Sequence, residues 1–129
     1  MWEDGRDALA DLALASRDRI LDVGCGTGEL TRVLAAEADA AGTGEADATV
    51  IGVDADRDLL SVAREESGGR IGYLAGDATR LPVGDGSVDL AVCQALLINL
   101  PDPTAAVREL ARVSSDLVAA VEPDNADVR

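Results

Sequence analysis

The tightest constraint on this chain is the run Ile20-Leu21-Asp22-Val23-Gly24-Cys25-Gly26-Thr27-Gly28. An apolar, strand-like segment enters three glycines at alternate positions, and a helix-like segment follows from Glu29. Glycines at that spacing let main-chain N–H groups approach a ligand closely, and the helix behind them turns its positive dipole end to the same spot. Asp22, two residues ahead of the first glycine, narrows the ligand further. A loop built for a dinucleotide pyrophosphate has an aliphatic residue there and a Gly or Ala where this chain has Glu29. A carboxylate beside the loop suits a cationic group, such as the ammonium of an amino acid, and suits a pyrophosphate badly.

Strand-like and helix-like patterns alternate along the rest of the chain, the mark of an α/β domain with a parallel sheet. Leu9, Leu12 and Ala13 at helical spacing predict a leading helix over Gly5–Ala15. Strands are expected at Arg19–Val23, Thr49–Val53 (ending at Asp54), Arg70–Leu74, Val88–Cys93 and Asp116–Val121. Helices are expected at Glu29–Ala38, at Asp56–Glu66 with Asp56 as N-cap, and at Thr104–Val113. The glycine- and acid-rich stretch 39–48 reads as a long loop, Gly68-Gly69 as a helix breaker, Gly76–Ser87 as an irregular loop and Leu96–Pro103 as a turn region. Asp85 and Asp89 read as turn residues in solvent, and Glu65-Glu66 as part of a solvated helix face.

Composition removes several classes of function. The 129 residues make one domain, with 25 acidic against 11 basic residues and a net charge of −14. All the basic residues are Arg. Such a field opposes binding to nucleic-acid phosphates and to anionic membranes. No apolar run approaches the roughly 20 residues of a membrane span, and the acidic N-terminus does not resemble a signal peptide, so a soluble cytoplasmic protein is the expectation. The acid excess resembles that of proteins from salt-adapted cells, where high ionic strength screens like charges. GC-rich coding bias is the alternative, although it would raise Arg alongside Asp and would not bring the isoelectric point expected from composition down to about 4.1. The chain has no His and two Cys, Cys25 and Cys93, which leaves no Ser-His-Asp or Cys-His pair and no usual zinc site. Both thiols read as small buried residues.

Two further acids complete a chemically coherent set. Asp54, at the carboxyl end of the second strand, is placed to accept both hydroxyls of a ribose lying across the glycine loop. Asp77, in Leu74-Ala75-Gly76-Asp77-Ala78, can accept from an exocyclic amine such as adenine N6, and the N–H of Ala78 can pair with the neighbouring ring nitrogen. A ligand carrying an ammonium, a ribose and an adenine is S-adenosylmethionine rather than NAD.

From about Ile20 to Glu122 the chain resembles the class I S-adenosylmethionine-dependent methyltransferases of the small-molecule type, similar to those of ubiquinone and menaquinone biosynthesis. The resemblance rests on Ile20–Gly28, Val50–Leu60, Gly76–Pro82 and Ser87–Val92, in the family's order and spacing. It implies a Rossmann-like three-layer α/β sandwich with strand order 3-2-1-4-5 and methyl transfer to a small molecule. It also implies that Asp22, Gly24 and Gly26 hold the methionyl part and Asp54 the ribose. Ala55 and Leu59 would border the adenine, Asp77 and Ala78 would read its edge, and Cys93-Gln94 would flank the sulfonium.

Two departures from the family pattern stand out. Asn99 occupies a place where the family usually has His, so no proton-transfer residue is identified and no catalytic residue is named. The family also continues past its fifth strand with two more, so the chain is expected to lack that part and to leave the fifth strand open to self-association. The competing readings are a cofactor-binding module inactive alone and, at greater distance, an NAD-dependent oxidoreductase.

Overall fold

The computed structural model describes residues 17–41, 49–69, 71–94, 96 and 100–121. The expected helix at Gly5–Ala15, and Asn99, lie outside these residues. Five parallel strands form one sheet: β1 (Arg19–Val23), β2 (Thr49–Asp54), β3 (Gly72–Ala75), β4 (Val88–Gln94) and β5 (Ser114–Val121), in the order β3-β2-β1-β4-β5. Among the described residues three helices flank it: α1 (Glu29–Ala41), α2 (Arg57–Ser67) and α3 (Pro103–Val113). The expected topology is the observed one.

Successive strand residues point to opposite faces, and the core divides accordingly. On one face Ile20, Val50, Leu90 and Val92 pack against Leu30, Leu34 and Ala38 of α1. On the other, Leu21, Val23, Val53, Ala91 and Cys93 pack against Leu110 and Val113 of α3 and Leu81 of the loop before β4. β1 is the central strand, and Ile20 and Leu21 have no exposed surface. Truncating one such fully buried aliphatic side chain, for example Leu34→Ala, costs about 2–5 kcal/mol. Among the described residues no helix is long and apolar enough to cross a membrane.

Several boundaries differ from the expected ones. α1 continues to Ala41 because Ala35-Ala36-Glu37-Ala38-Asp39-Ala40-Ala41 is rich in the strongest helix former; the acid content had suggested a loop. β3 is displaced to Gly72–Ala75. β5 begins at Ser114, directly after α3. There the ladder slips between Val88 and Leu90, which face Ser114 and Leu117. The Ser114 hydroxyl donates to the Leu117 carbonyl at 2.7 Å and accepts from the Asp116 amide at 3.4 Å, so the polar Ser-Ser-Asp run is a bulge inside the strand.

Asp85 and Asp89 are not idle turn residues. Asp89 lies within β4 and accepts from the amides of Asp18 (2.8 Å) and Arg19 (3.2 Å), fastening the start of β1. Asp85 pairs with Arg112 at 2.7 Å. Arg112 also grips Glu109 through two nitrogens and donates to the Leu81 carbonyl, while Glu109 accepts from the Leu81 amide at 2.6 Å. The Arg112 guanidinium holds the Glu109 carboxyl below the usual carboxylate range. This cluster ties the irregular loop to α3.

Candidate functional site

The glycine loop is fixed to the sheet by three amides. Gly24 N and Cys25 N donate to the Val53 carbonyl at 2.7 and 3.0 Å, and Gly26 N donates to Asp54 Oδ2 at 2.8 Å. Asp54 Oδ1 accepts from Asp56 N at 2.8 Å. The carboxylate at the end of β2 therefore binds the loop from β1 and the start of α2 together. A carboxylate offers about four lone-pair positions, so two remain for a ligand. The next strand is locked in the same way, with Gly76 N donating to the Asp54 carbonyl at 3.0 Å.

Gly24, Gly26 and Gly28 all have positive φ, 75°, 57° and 86°. At Gly24 and Gly28 a side chain would also collide, with Leu96 Cδ1 at 2.9 Å and Tyr73 Oη at 2.5 Å. At Gly26 nothing lies within 4 Å of the Cβ position. Open space over an amide-rich loop is what a ligand cradle requires, and at Gly26 it adjoins the Asp54 carboxylate.

The sheet order brings Gly24, Asp54, Ala55, Asp77 and Ala78 to one cleft at the carboxyl ends of β1, β2 and β3. Asp77 is exposed. Its Oδ1 accepts from Thr79 N at 2.8 Å and Thr79 Oγ1 at 2.7 Å, bonds that hold its carboxyl below the usual range, and Oδ2 has no hydrogen bond among the described residues. Leu59, in the first turn of α2, is exposed and lies outside the lining of the cleft. Gln94 is half-buried at the end of β4, and the side chain of Cys93 is sealed in the core.

Asp22 is also sealed, with 1% of its surface exposed. It lies beneath the glycine loop and off the cleft wall. Its Oδ2 accepts from the buried Thr31 hydroxyl of α1 at 2.7 Å. Burial pushes the Asp22 carboxyl up to about 7; the Thr31 bond opposes the shift and the nearby Asp54 charge adds to it. Burial, followed by the Asp22 and Asp54 charges, pushes the Cys25 thiol up to about 12, so it stays protonated and is no nucleophile. Neither cysteine is in a disulfide and both are buried, as their expected role requires.

Sequence reasoning missed Thr31, Leu96, Leu100 and Tyr73. Leu96 and Leu100 close the cleft from the segment after β4, a stretch that reads only as a turn. Their one signal is apolar character directly after a strand's carboxyl end.

The description "Methyltransferase domain" matches residues 21–116. Demethylmenaquinone methyltransferase of Lactiplantibacillus plantarum is 34% identical over 113 residues, which cover 84% of this chain and 45% of that protein. A putative methyltransferase of Bacillus halodurans matches with TM-score 0.74 and 27% identity over 97% of this chain and 54% of that one. A SAM-dependent methyltransferase of Aquifex aeolicus shares the fold, with TM-score 0.75 and 22% identity over 91% of this chain and 62% of that one. The chain spans less than half the length of the curated relatives it matches. With the glycine loop, the acids after β2 and β3, and the 3-2-1-4-5 sheet all in place, the chain belongs to the S-adenosylmethionine-dependent methyltransferase family.

Proposed function

We propose that the chain binds S-adenosylmethionine along the carboxyl edge of β1, β2 and β3 and serves methyl transfer to a small-molecule acceptor. The observation that carries this reading is the meeting of Gly24, the Asp54 carboxylate and the Asp77-Ala78 pair in one cleft, with Gly26, open above, bonded to that same carboxylate. Gly24 and Gly26 hold the methionyl part, with Asp22 beneath them as the negative charge under the ammonium. The two spare acceptor positions of Asp54 take the ribose hydroxyls. Ala55 and Leu59 border the adenine, Asp77 Oδ2 and the Ala78 N–H read its edge, and the Cys93-Gln94 backbone lies toward the sulfonium.

When bound, the sulfonium supplies an already activated methyl group. The chain's own task is alignment and exclusion of water, and such positioning is worth at most about 7–11 kcal/mol of barrier. Leu96 and Leu100 dry the side of the cleft next to Gly24. Similar proteins named for demethylmenaquinone methylation and ubiquinone biosynthesis favour a quinone precursor as the first acceptor to try. Two buried cysteines that form no disulfide suit a reducing, cytoplasmic setting.

Calorimetric titration of the chain in molar KCl tests the reading. Heat is expected with S-adenosylmethionine and S-adenosylhomocysteine and none with NAD; the reverse pattern overturns it. A second reading, binding without turnover, is favoured by the short span of the chain against its curated relatives. Transfer of a labelled methyl group to a quinone precursor by this chain alone would exclude it.

A further inference from the structure

The glycine loop rests on a single aromatic plate. Tyr73 is the only Tyr in a chain without Phe. It projects from β3 opposite Gly52 of β2, and its ring is buried among Cys25, Leu60 and Ala63. A Cβ added at Gly52 would lie 2.7 Å from two carbons of the ring and 2.8 Å from Cys25 Sγ. At the far end of the ring, a Cβ on Gly28 would lie 2.5 Å from Tyr73 Oη. The hydroxyl is held by Ser67, the last residue of α2, at 2.7 Å, and the Tyr73 carbonyl accepts from Arg64 at 3.2 Å. The ring thus crosses from β3, over the bare backbone of Gly52, to the last glycine of the loop.

We infer that Tyr73 is a positioning residue for cofactor binding. Its ring sets the height of Cys25 and Gly28, and through them the direction of the Gly24–Gly28 amides, without touching the ligand. The ring occupies the side-chain space of Gly52, and at Gly28 it adds to a backbone conformation that already favours glycine. Gly52 lies outside the glycine loop, in a strand without positive φ, so only steric room accounts for its lack of a side chain. A rigid plate suits the task, since an aliphatic residue at position 73 has rotamers that let the loop settle toward the sheet.

This inference rests on the glycine loop being the cradle for the methionyl part, and the test separates the two. Two ligands are titrated against the full chain in molar KCl: S-adenosylhomocysteine, which has the amino-acid arm, and 5′-methylthioadenosine, which lacks it. The variants are Tyr73→Leu, Tyr73→Phe, Gly52→Ala and the double variant Gly52→Ala/Tyr73→Leu. Tyr73→Leu and Gly52→Ala are each expected to weaken S-adenosylhomocysteine about tenfold or more, the scale of one lost hydrogen bond to a charged group, and to leave methylthioadenosine within about twofold. Tyr73→Phe keeps the plate and loses only the Ser67 tether, so its loss is smaller; it serves as the probe if Tyr73→Leu does not fold. In the double variant the added methyl occupies space the ring has left, so the two losses fall short of multiplying. Equal losses for both ligands, or losses that multiply, would overturn the positioning role. A wild-type chain that binds neither ligand would overturn the proposed function itself.

Discussion

Thr31 in the first turn of α1 donates a 2.7 Å hydrogen bond to Asp22 in β1, and both side chains are closed to solvent. The pair places a titratable carboxyl directly under the glycine loop with one neutral donor for company. Its folded-state value of about 7 stands above the 3.8 of an ordinary aspartate. The folded protein therefore holds a proton there that the unfolded chain has released.

The sign of the resulting pH dependence follows. Between about pH 4 and pH 7 the folded state binds more protons than the unfolded one, so this group's contribution to stability falls as pH rises through that window and levels off above it. The whole swing is at most about 4 kcal/mol. Asp22→Asn keeps an acceptor for Thr31 and is expected to melt higher than wild type at pH 8 and equally at pH 4. Thr31→Val removes the donor and is expected to cost about 1–3 kcal/mol. A cation bound above the loop favours the carboxylate, so titration near pH 7 should release a proton; repeating the calorimetry in buffers of different ionisation enthalpy measures it.

Asp54 joins the glycine loop to α2 as well as facing the cleft. Asp54→Ala is expected to weaken S-adenosylhomocysteine by roughly 1.5–3 kcal/mol. It also leaves the Gly26 and Asp56 amides without their acceptor, so the melting temperature falls with the affinity. Asp54→Asn does not restore binding, because its NH₂ faces one of those N–H donors.

A net charge of −14 on a 13.2 kDa domain implies self-repulsion in dilute buffer. At ~0.01 M ionic strength charges interact over about 30 Å, and at ~1 M over about 3 Å. The core has no Phe to set against this, and a repulsion of a few kcal/mol is large beside a stability of roughly 5–15 kcal/mol. Thermal melts followed by circular dichroism should rise steadily from low to molar KCl and rise less in sucrose. A flat series would assign the acidity to coding bias.

Among the described residues β5 is an edge of the sheet and exposes Val118. An exposed apolar edge favours pairing between chains. Sedimentation is expected to show association that grows with concentration and is reduced by Val118→Lys. A wild-type chain that stays monomeric over a wide concentration range would contradict this.

The topology was legible because it rests on period and punctuation. Apolar runs at Ile20, Val50, Leu74 and Leu90, glycines after the first and acids after the next two survive any detail of packing. The observed order β3-β2-β1-β4-β5 is the one implied by the family that those motifs resemble. What stayed hidden depends on contacts between segments distant in sequence. Nothing near Asp22 marks it as buried rather than facing the ligand, since its partner Thr31 looks like any helical Thr. Tyr73 reads as an ordinary strand residue until Gly52 and Gly28 are seen to make room for it. The bulge at Ser114 is invisible because its hydroxyl supplies bonds that the pattern Ser-Ser-Asp assigns to a turn.

The place of β1 in the middle of the sheet governs the order in which the domain can assemble. Ile20 stands opposite Val50 on one side and Leu90 on the other, partners that leave the ribosome roughly 30 and roughly 70 residues later, and such distant closures are slow. β1 is thus enclosed long after it is made, and the three strand ends that form the cleft meet only when most of the described chain is present. A ligand for that cleft has nothing to grip in a half-made molecule. It would act as a late latch, slowing unfolding while leaving the folding rate unchanged.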